Sequence, residues 1–369
     1  MKKLIGFKNN LKHYREKEYM TQRQLADLIG YSEKSISKWE NGSGFPAISV
    51  LTELAEIFHT SLDSLIYSKP VRYYLLGIDG GGTSTVFKLT DENGALLKVV
   101  TKGASNPNDI GMDLALRVLE EGLCEICGDI AFSQIVLYAG ISGGGLTGNN
   151  VQLIREFFES CGFAAFENGS DVENVIALVD DDPCIVVIMG TGFILYRIDG
   201  VNRKRIAGWG QLFDEGGSGY SIAKDGIASA LRALEGSGKN TILTAMFSDR
   251  LGESVDDHLA EFYRGGKRYI ARYSELVFQA AEKGDEVACD ILDRNMQFVA
   301  QMIQAAEADF KDPIPVYFSG SISSCADVLF PRIQKQLSGD IRLSVLKDEP
   351  VEGAVKKAKI LFDNMKNKA

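Results

Sequence analysis

A strand that ends in glycines occurs twice in this chain, and that repetition constrains its fold more than any other feature. Residues 73–78 form a short apolar run that ends in Asp79-Gly80-Gly81-Gly82-Thr83-Ser84-Thr85. Val86, Phe87 and Leu89 then resume strand character before a turn at Asp91-Glu92-Asn93-Gly94. The run 184–189 repeats the design: an apolar strand, then Gly190-Thr191-Gly192, then strand-like Ile194, Leu195 and Tyr196. Strand on both sides of a glycine tip reads as a hairpin. Glycine has no side chain to hold a phosphate away and accepts positive φ, so such tips bring backbone N–H groups close to an anion. No GxxxxGK[ST] occurs and neither tip opens a helix, which excludes Walker and dinucleotide loops. Two phosphate loops on two hairpins predict two facing lobes. A third apolar strand, Val316-Tyr317-Phe318, ends in Ser319-Gly320-Ser321.

At 369 residues and 45% hydrophobic, the chain holds apolar mass for two or three cored units. It contains no apolar run of about 18 residues, and its start lacks the pattern of a secretion signal, so a cytoplasmic protein without a membrane partner is expected. The net charge of −10 is unevenly spread: residues 1–70 carry 10 Lys and Arg against 8 Asp and Glu, leaving 30 against 42 for the remainder. An acidic surface repels DNA, so only the N-terminal part is suited to face a phosphate backbone.

Within that part, Thr21 followed by Gln24 is a capping-box pattern, and the helix it opens closes on Gly30. A second helix starts after Ser32 as N-cap, buries Ile36 and Trp39, and ends at Asn41 and Gly42. Two short helices joined by a glycine-containing turn are the helix-turn-helix signature. Beyond Pro46, the spacing of Ile48, Leu51, Leu54, Ala55, Ile57 and Phe58 predicts a further helix with one apolar stripe. Residues 5–67 resemble the Cro/C1-type (XRE) phage-repressor family, through Thr21 to Gly30, Ser37-Lys38-Trp39-Glu40-Asn41-Gly42, Pro46 and Ser61-Leu62-Asp63-Ser64-Leu65. The resemblance implies an operator read in the major groove by Ser32, Glu33, Lys34, Ser35 and Lys38, with Gln22 meeting a phosphate. It also implies a homodimer whose two heads lie about 34 Å apart.

Lys69-Pro70 marks the expected boundary, because the residue before proline is pushed out of helical geometry. From about Tyr73 onward the three glycine loops resemble the actin, hexokinase and heat-shock ATPase superfamily. Within it the chain is most similar to the N-acetylglucosamine kinase and BadF/BadG/BcrA/BcrD ATPase family. Gly77-Ile78-Asp79-Gly80-Gly81-Gly82-Thr83, Gly103-Ala104-Ser105-Asn106, Gly208-Trp209-Gly210 and Asp214-Glu215-Gly216-Gly217-Ser218-Gly219-Tyr220 carry that similarity. The expected architecture is an all-α helix-turn-helix domain (1–70) followed by a two-lobed α/β, actin-like (ribonuclease H-like) ATPase fold. Its lobes span 71–182 and 183–369, with the last helix free to return to the first lobe.

The resemblance implies an ATP-dependent amino-sugar kinase using ATP and Mg2+. Asp79 would orient Mg2+ through water. Gly80, Gly81, Gly82, Thr83, Gly190, Thr191 and Gly192 would hold phosphates, and Gly320 and Ser324 would line the adenosine pocket. Asp171, in Asn168-Gly169-Ser170-Asp171-Val172, would take the proton of a sugar hydroxyl, and it is equally placed to cap a helix. Asn106, Gly208, Trp209 and Asp214 would contact the sugar, with Trp209 equally placed to be an ordinary core aromatic. After Gly190-Thr191-Gly192 the family places Ser and Asn where this chain has Phe193 and Ile194, which removes two polar contacts. That departure leaves a second reading, a regulator whose kinase-like module only senses sugar or nucleotide. A third, an activator ATPase of radical dehydratases with a cysteine-held cluster, ranks last. Cys124 and Cys127, on an apolar-periodic stretch, read as small packed hydrophobes. The stretch 287–308 has helical periodicity and reads as core before dimer face.

Overall fold

Side-chain caps set the ends of the short helices in the N-terminal part. The computed structural model describes residues 6–67, 72–144, 148–339 and 341–368, and the chain divides into two units, Met1–Tyr73 and Tyr74–Ala369. The Lys69-Pro70 boundary signal lies outside the described residues.

The first unit contains helices α1 (Phe7–Lys17), α2 (Gln22–Leu28), α3 (Glu33–Glu40), α4 (Ile48–Ile57) and α5 (Leu62–Ile66). Thr21 and Gln24 form the capping box, Ser32 caps α3 and Ser61 caps α5, each through a hydroxyl that accepts a backbone N–H. Gly30, at φ 68°, makes the turn between α2 and α3. Leu25, Ile36, Trp39, Leu51, Leu54 and Phe58 form the core. The stripe on α4 is rotated from the expected one: Val50 is buried and Ile48 is 78% exposed. Ile48 is the first helical residue, and the buried positions run from Val50 through Leu51, Leu54 and Ala55 to Phe58. Beneath the helices, Arg15 donates to Glu40 at 2.6 and 3.0 Å and to the Met20 carbonyl at 2.7 Å.

The second unit is built on two sheets of identical topology. Strands β1 (Tyr74–Gly80), β2 (Thr85–Asp91), β3 (Leu96–Lys102), β4 (Ile135–Ile141) and β5 (Ala165–Gly169) lie in the order β3-β2-β1-β4-β5. Strands β6 (Cys184–Met189), β7 (Phe193–Asp199), β8 (Asn202–Ala207), β9 (Val316–Ser319) and β10 (Leu343–Val345) repeat it as β10-β9-β6-β7-β8. In each sheet the first three strands are an antiparallel meander and the last two pair in parallel. The first and fourth strands lie inside each sheet and read as continuous apolar runs, as strands covered on both faces must.

The helix Glu286–Glu307 supplies core to the second sheet through Ile291, Leu292, Met296, Val299 and Ile303, all fully buried. The closing helix, Pro350–Lys368, packs on β1 of the first sheet so closely that a Cβ on Gly77 would lie 2.7 Å from the Val355 nitrogen. Cys127 is buried in the first sheet's core, where desolvation pushes its thiol up to about 12, while Cys124 is exposed. Among the described residues no helix is long and apolar enough to cross a membrane, and no three His, Cys, Asp or Glu side chains cluster as metal ligands.

Candidate functional site

The ends of β1, β4 and β5 place the two carboxylates. Parallel register sets Asp79 beside Gly140 and Gly140 beside Gly169, so Asp171 emerges next to the first glycine tip. Asp79 accepts a hydrogen bond at 2.7 Å from Asn174, a fully buried side chain that also donates to the Ile78 carbonyl at 3.3 Å. Glycines at 140 and 353 make room for Asn174, because a Cβ on either would lie within 2.3 Å of its atoms. Burial pushes the Asp79 carboxyl up to about 7, the Asn174 bond opposes this, and the charge of Asp171 adds to it. Asp171 caps the helix Val172–Ile176, accepting from Val172 N at 3.1 Å and from Ser170 Oγ at 3.0 Å. Burial raises its carboxyl too, against hydrogen bonds from Ser170 and Ser142.

Among the tip glycines, Gly80 is needed for space. Gly80, Gly81, Gly82, Gly190 and Gly192 all keep φ outside the left-handed region, which corrects the expectation that positive φ selects them. A Cβ on Gly80 would instead lie 2.5 Å from Ser105 Oγ and 2.6 Å from Ile141 Cδ1. Gly320 does need its conformation, at φ 96°, because it turns the chain against the Met189 carbonyl. The second tip is tied to the helix Gly219–Leu234 by Gly219 N donating to the Gly190 carbonyl at 2.8 Å.

Thr83 from the first tip and Gly190 and Thr191 from the second line one cavity of about 510 Å³, together with Arg268, Arg272 and Ser321. Sequence reasoning missed the two arginines and Asn174, because nothing local marks them. Ser324 is exposed and donates to the Ser321 carbonyl at 2.8 Å.

The expected sugar contacts fall into separate places. Asn106 caps the helix Pro107–Ile110 and donates to Asp109 at 2.9 Å. Gly208 and Asp214 line a smaller cavity of about 80 Å³ with Gly192 and Lys267. The Asp214 carboxylate accepts from Gly208 N at 3.2 Å and Gly210 N at 2.7 Å, so it braces the loop that carries Trp209. Trp209 is 59% exposed, with the Arg205 guanidinium 4.6 Å over its ring, and belongs to no core. Phe193 is buried against Phe298, and Ile194 lies beneath Gly208.

On the helix-turn-helix unit, Ser32, Glu33, Lys34 and Lys38 are exposed, and Ser35 donates its N–H to the Ser32 cap at 3.2 Å. The Gln22 amide donates to Glu40 at 2.8 Å, so that side chain is engaged within the unit.

Paired sheets of one topology, glycine tips on their first hairpins and an N-terminal helix-turn-helix define the class: a two-lobed actin-like sugar-kinase fold joined to a DNA-binding unit. The chain belongs to the BadF/BadG/BcrA/BcrD ATPase family, whose model matches residues 76–355, and a helix-turn-helix model matches residues 11–65. The N-acetylmuramic acid/N-acetylglucosamine kinase of Clostridium acetobutylicum is 33% identical over 228 residues, 59% of this chain and 74% of that protein. An N-acetylglucosamine kinase candidate from Chromobacterium violaceum matches with a TM-score of 0.67 at 24% identity, over 78% of this chain and all of that one. A ROK family transcriptional regulator, homologous to the E. coli MLC protein, matches with a TM-score of 0.55 at 14% identity, over 98% of each chain. The two structural likenesses concern the fold.

Proposed function

We propose that this chain is an ATP-dependent amino-sugar kinase that carries its own operator-reading head and acts as a sugar-responsive regulator. The observation that carries the reading is the convergence of both tips, through Thr83 on one side and Gly190 and Thr191 on the other, on one cavity of about 510 Å³, with Asp79 at the base of the first tip and Asp171 close enough to raise its carboxyl. Phosphoryl transfer asks a protein mainly for positioning and charge stabilisation. The backbone of Gly80–Gly82 and Gly190–Gly192, with the Thr83 and Thr191 hydroxyls, would cradle the phosphates. Gly320 and Ser324 would border the adenosine.

Mg2+ is commonly held by one or two carboxylates plus substrate phosphates, and Asp79, a carboxylate at the base of the first tip with one oxygen held by Asn174, fits that role. When bound, the ion would neutralise charge on the transferred group. Asp171, buried and with its carboxyl raised by desolvation, would accept the proton of the attacking sugar hydroxyl. Asn106, Gly208, Trp209 and Asp214 would border the sugar. The proposed division is a DNA-reading head (1–70) and two lobes (71–182 and 183–369), in a cytoplasmic homodimer.

Phe193 and Ile194 favour a second reading, in which the module binds sugar or nucleotide without turnover. An ADP-release assay with Mg-ATP and an amino-sugar panel separates the two. The kinase reading expects sugar-dependent turnover that Asp171→Asn lowers by about 10²–10⁴-fold. Absence of turnover with every sugar, alongside measurable ligand binding, would establish the sensor instead.

A further inference from the structure

The helix Leu259–Ala271 is broken at Gly266, where φ is 61° and ψ is −160°. Immediately after the break come Lys267 and Arg268, and one turn later Arg272. A chain of side-chain hydrogen bonds ties the segment down. Tyr273 donates to the Tyr269 hydroxyl at 2.9 Å, and that hydroxyl pairs with His258 Nε2 at 2.7 Å while His258 Nδ1 meets Glu253. Gly265 lies so close to Tyr269 that a Cβ there would meet its Cβ at 2.4 Å.

The three cations on this segment have different employment. Lys267 faces Gly192 in the smaller cavity. The Arg272 guanidinium stacks 4.4 Å over the Tyr269 ring. Arg268 lines the larger cavity and reaches to the first sheet's lobe, where its Nη2 lies 3.3 Å from Asp109 Oδ2. The tip glycine Gly82 sits under this pair: a Cβ there would lie 3.2 Å from Asp109 Oδ2 and 3.4 Å from Arg268 Nη2. Asp109 in turn accepts from Asn106 at 2.9 Å.

We propose that Arg268 is the cation that reads the terminal phosphate of the bound nucleotide, exchanging Asp109 for phosphate oxygens. This rests on the kinase reading and deepens it. The position is right for the terminal phosphate: Arg268 stands over the first glycine tip, on the side where Asp109 meets Gly82. The exchange is easy, because a long, half-exposed ion pair contributes little to stability, whereas guanidinium and phosphate form parallel charge-assisted bonds. Since Asp109 belongs to one lobe and Arg268 to the other, trading the pair for phosphate also couples nucleotide occupancy to the contact between lobes.

Calorimetry with Mg-ATP and Mg-ADP on the full chain tests this without depending on turnover. Arg268→Ala should weaken ATP about ten- to hundredfold and ADP less than about twofold, so the preference for ATP collapses. Arg268→Lys, which keeps the charge but loses the planar fork, should fall between native and alanine forms. It also decides the matter if the alanine variant does not fold. Asp109→Asn removes the competing anion and should tighten ATP severalfold. Equal weakening of ATP and ADP by the arginine variants, or no weakening, would overturn the proposal, as would weaker ATP binding in Asp109→Asn. A native chain that binds neither nucleotide would overturn the kinase reading and this inference together. A native chain that binds both, with an unchanged ratio in the arginine variants, would overturn the arginine assignment alone.

Discussion

Replacing Asp79 with asparagine should make the protein more stable at pH 8 while removing its capacity to bind Mg-ATP. Burial lifts the Asp79 carboxyl from 3.8 to about 7 despite the Asn174 bond. The native state therefore keeps a proton that the unfolded chain has already lost between about pH 4 and 7. Stability falls as pH rises through that window, and above it the full cost of the buried charge is present. At about 1.4 kcal/mol per pH unit of separation, ionised Asp79 costs the fold about 4 kcal/mol. Asparagine has the same shape, carries no charge and still offers an oxygen to the Asn174 amide 2.7 Å away. Urea unfolding followed by circular dichroism, in chelator at pH 4.5 and pH 8, gives the test. The variant's advantage should widen by about 2–4 kcal/mol from the lower to the higher pH. An advantage equal at both values, or a variant less stable at pH 8, would refute the idea that desolvation dominates at Asp79.

Gly80→Ala should cost about 1–3 kcal/mol and weaken ATP binding, since the new methyl would press on Ser105 and Ile141; thermal melts and calorimetry read both effects. Glu40→Ala should cost the helix-turn-helix unit about 3–5 kcal/mol, measured by unfolding monitored at Trp39, because it strands an Arg15 side chain only 10% exposed. Lys34→Ala and Lys38→Ala should each lower the slope of log affinity for B-DNA against log salt by about one, measured by fluorescence anisotropy, with the secondary structure unchanged.

How far the sequence reached follows from how local each feature is. The capping box at Thr21 and Gln24, the Ser32 cap, the turn at Gly30 and the glycine tips after β1 and β6 each lie within a few residues, and all were legible. Ile48 misled because a periodic stripe does not say where a helix begins its first turn. Trp209 and Asp214 were legible as members of one loop, but nothing local told that Asp214's oxygens hold that loop's own amides.

Glycine-tipped strands and side-chain-capped short helices are properties of short windows of chain, so the sequence by itself determined the two-lobed fold and the helix-turn-helix. Tertiary structure alone decided the finer site. Asn174 finds Asp79 across 95 positions, and Arg268 meets Asp109 across 159. The closing helix returns to β1 only because glycines at 77 and 353 leave it room. Such pairings depend on which surfaces meet when both sheets are assembled, and no window of sequence holds both partners.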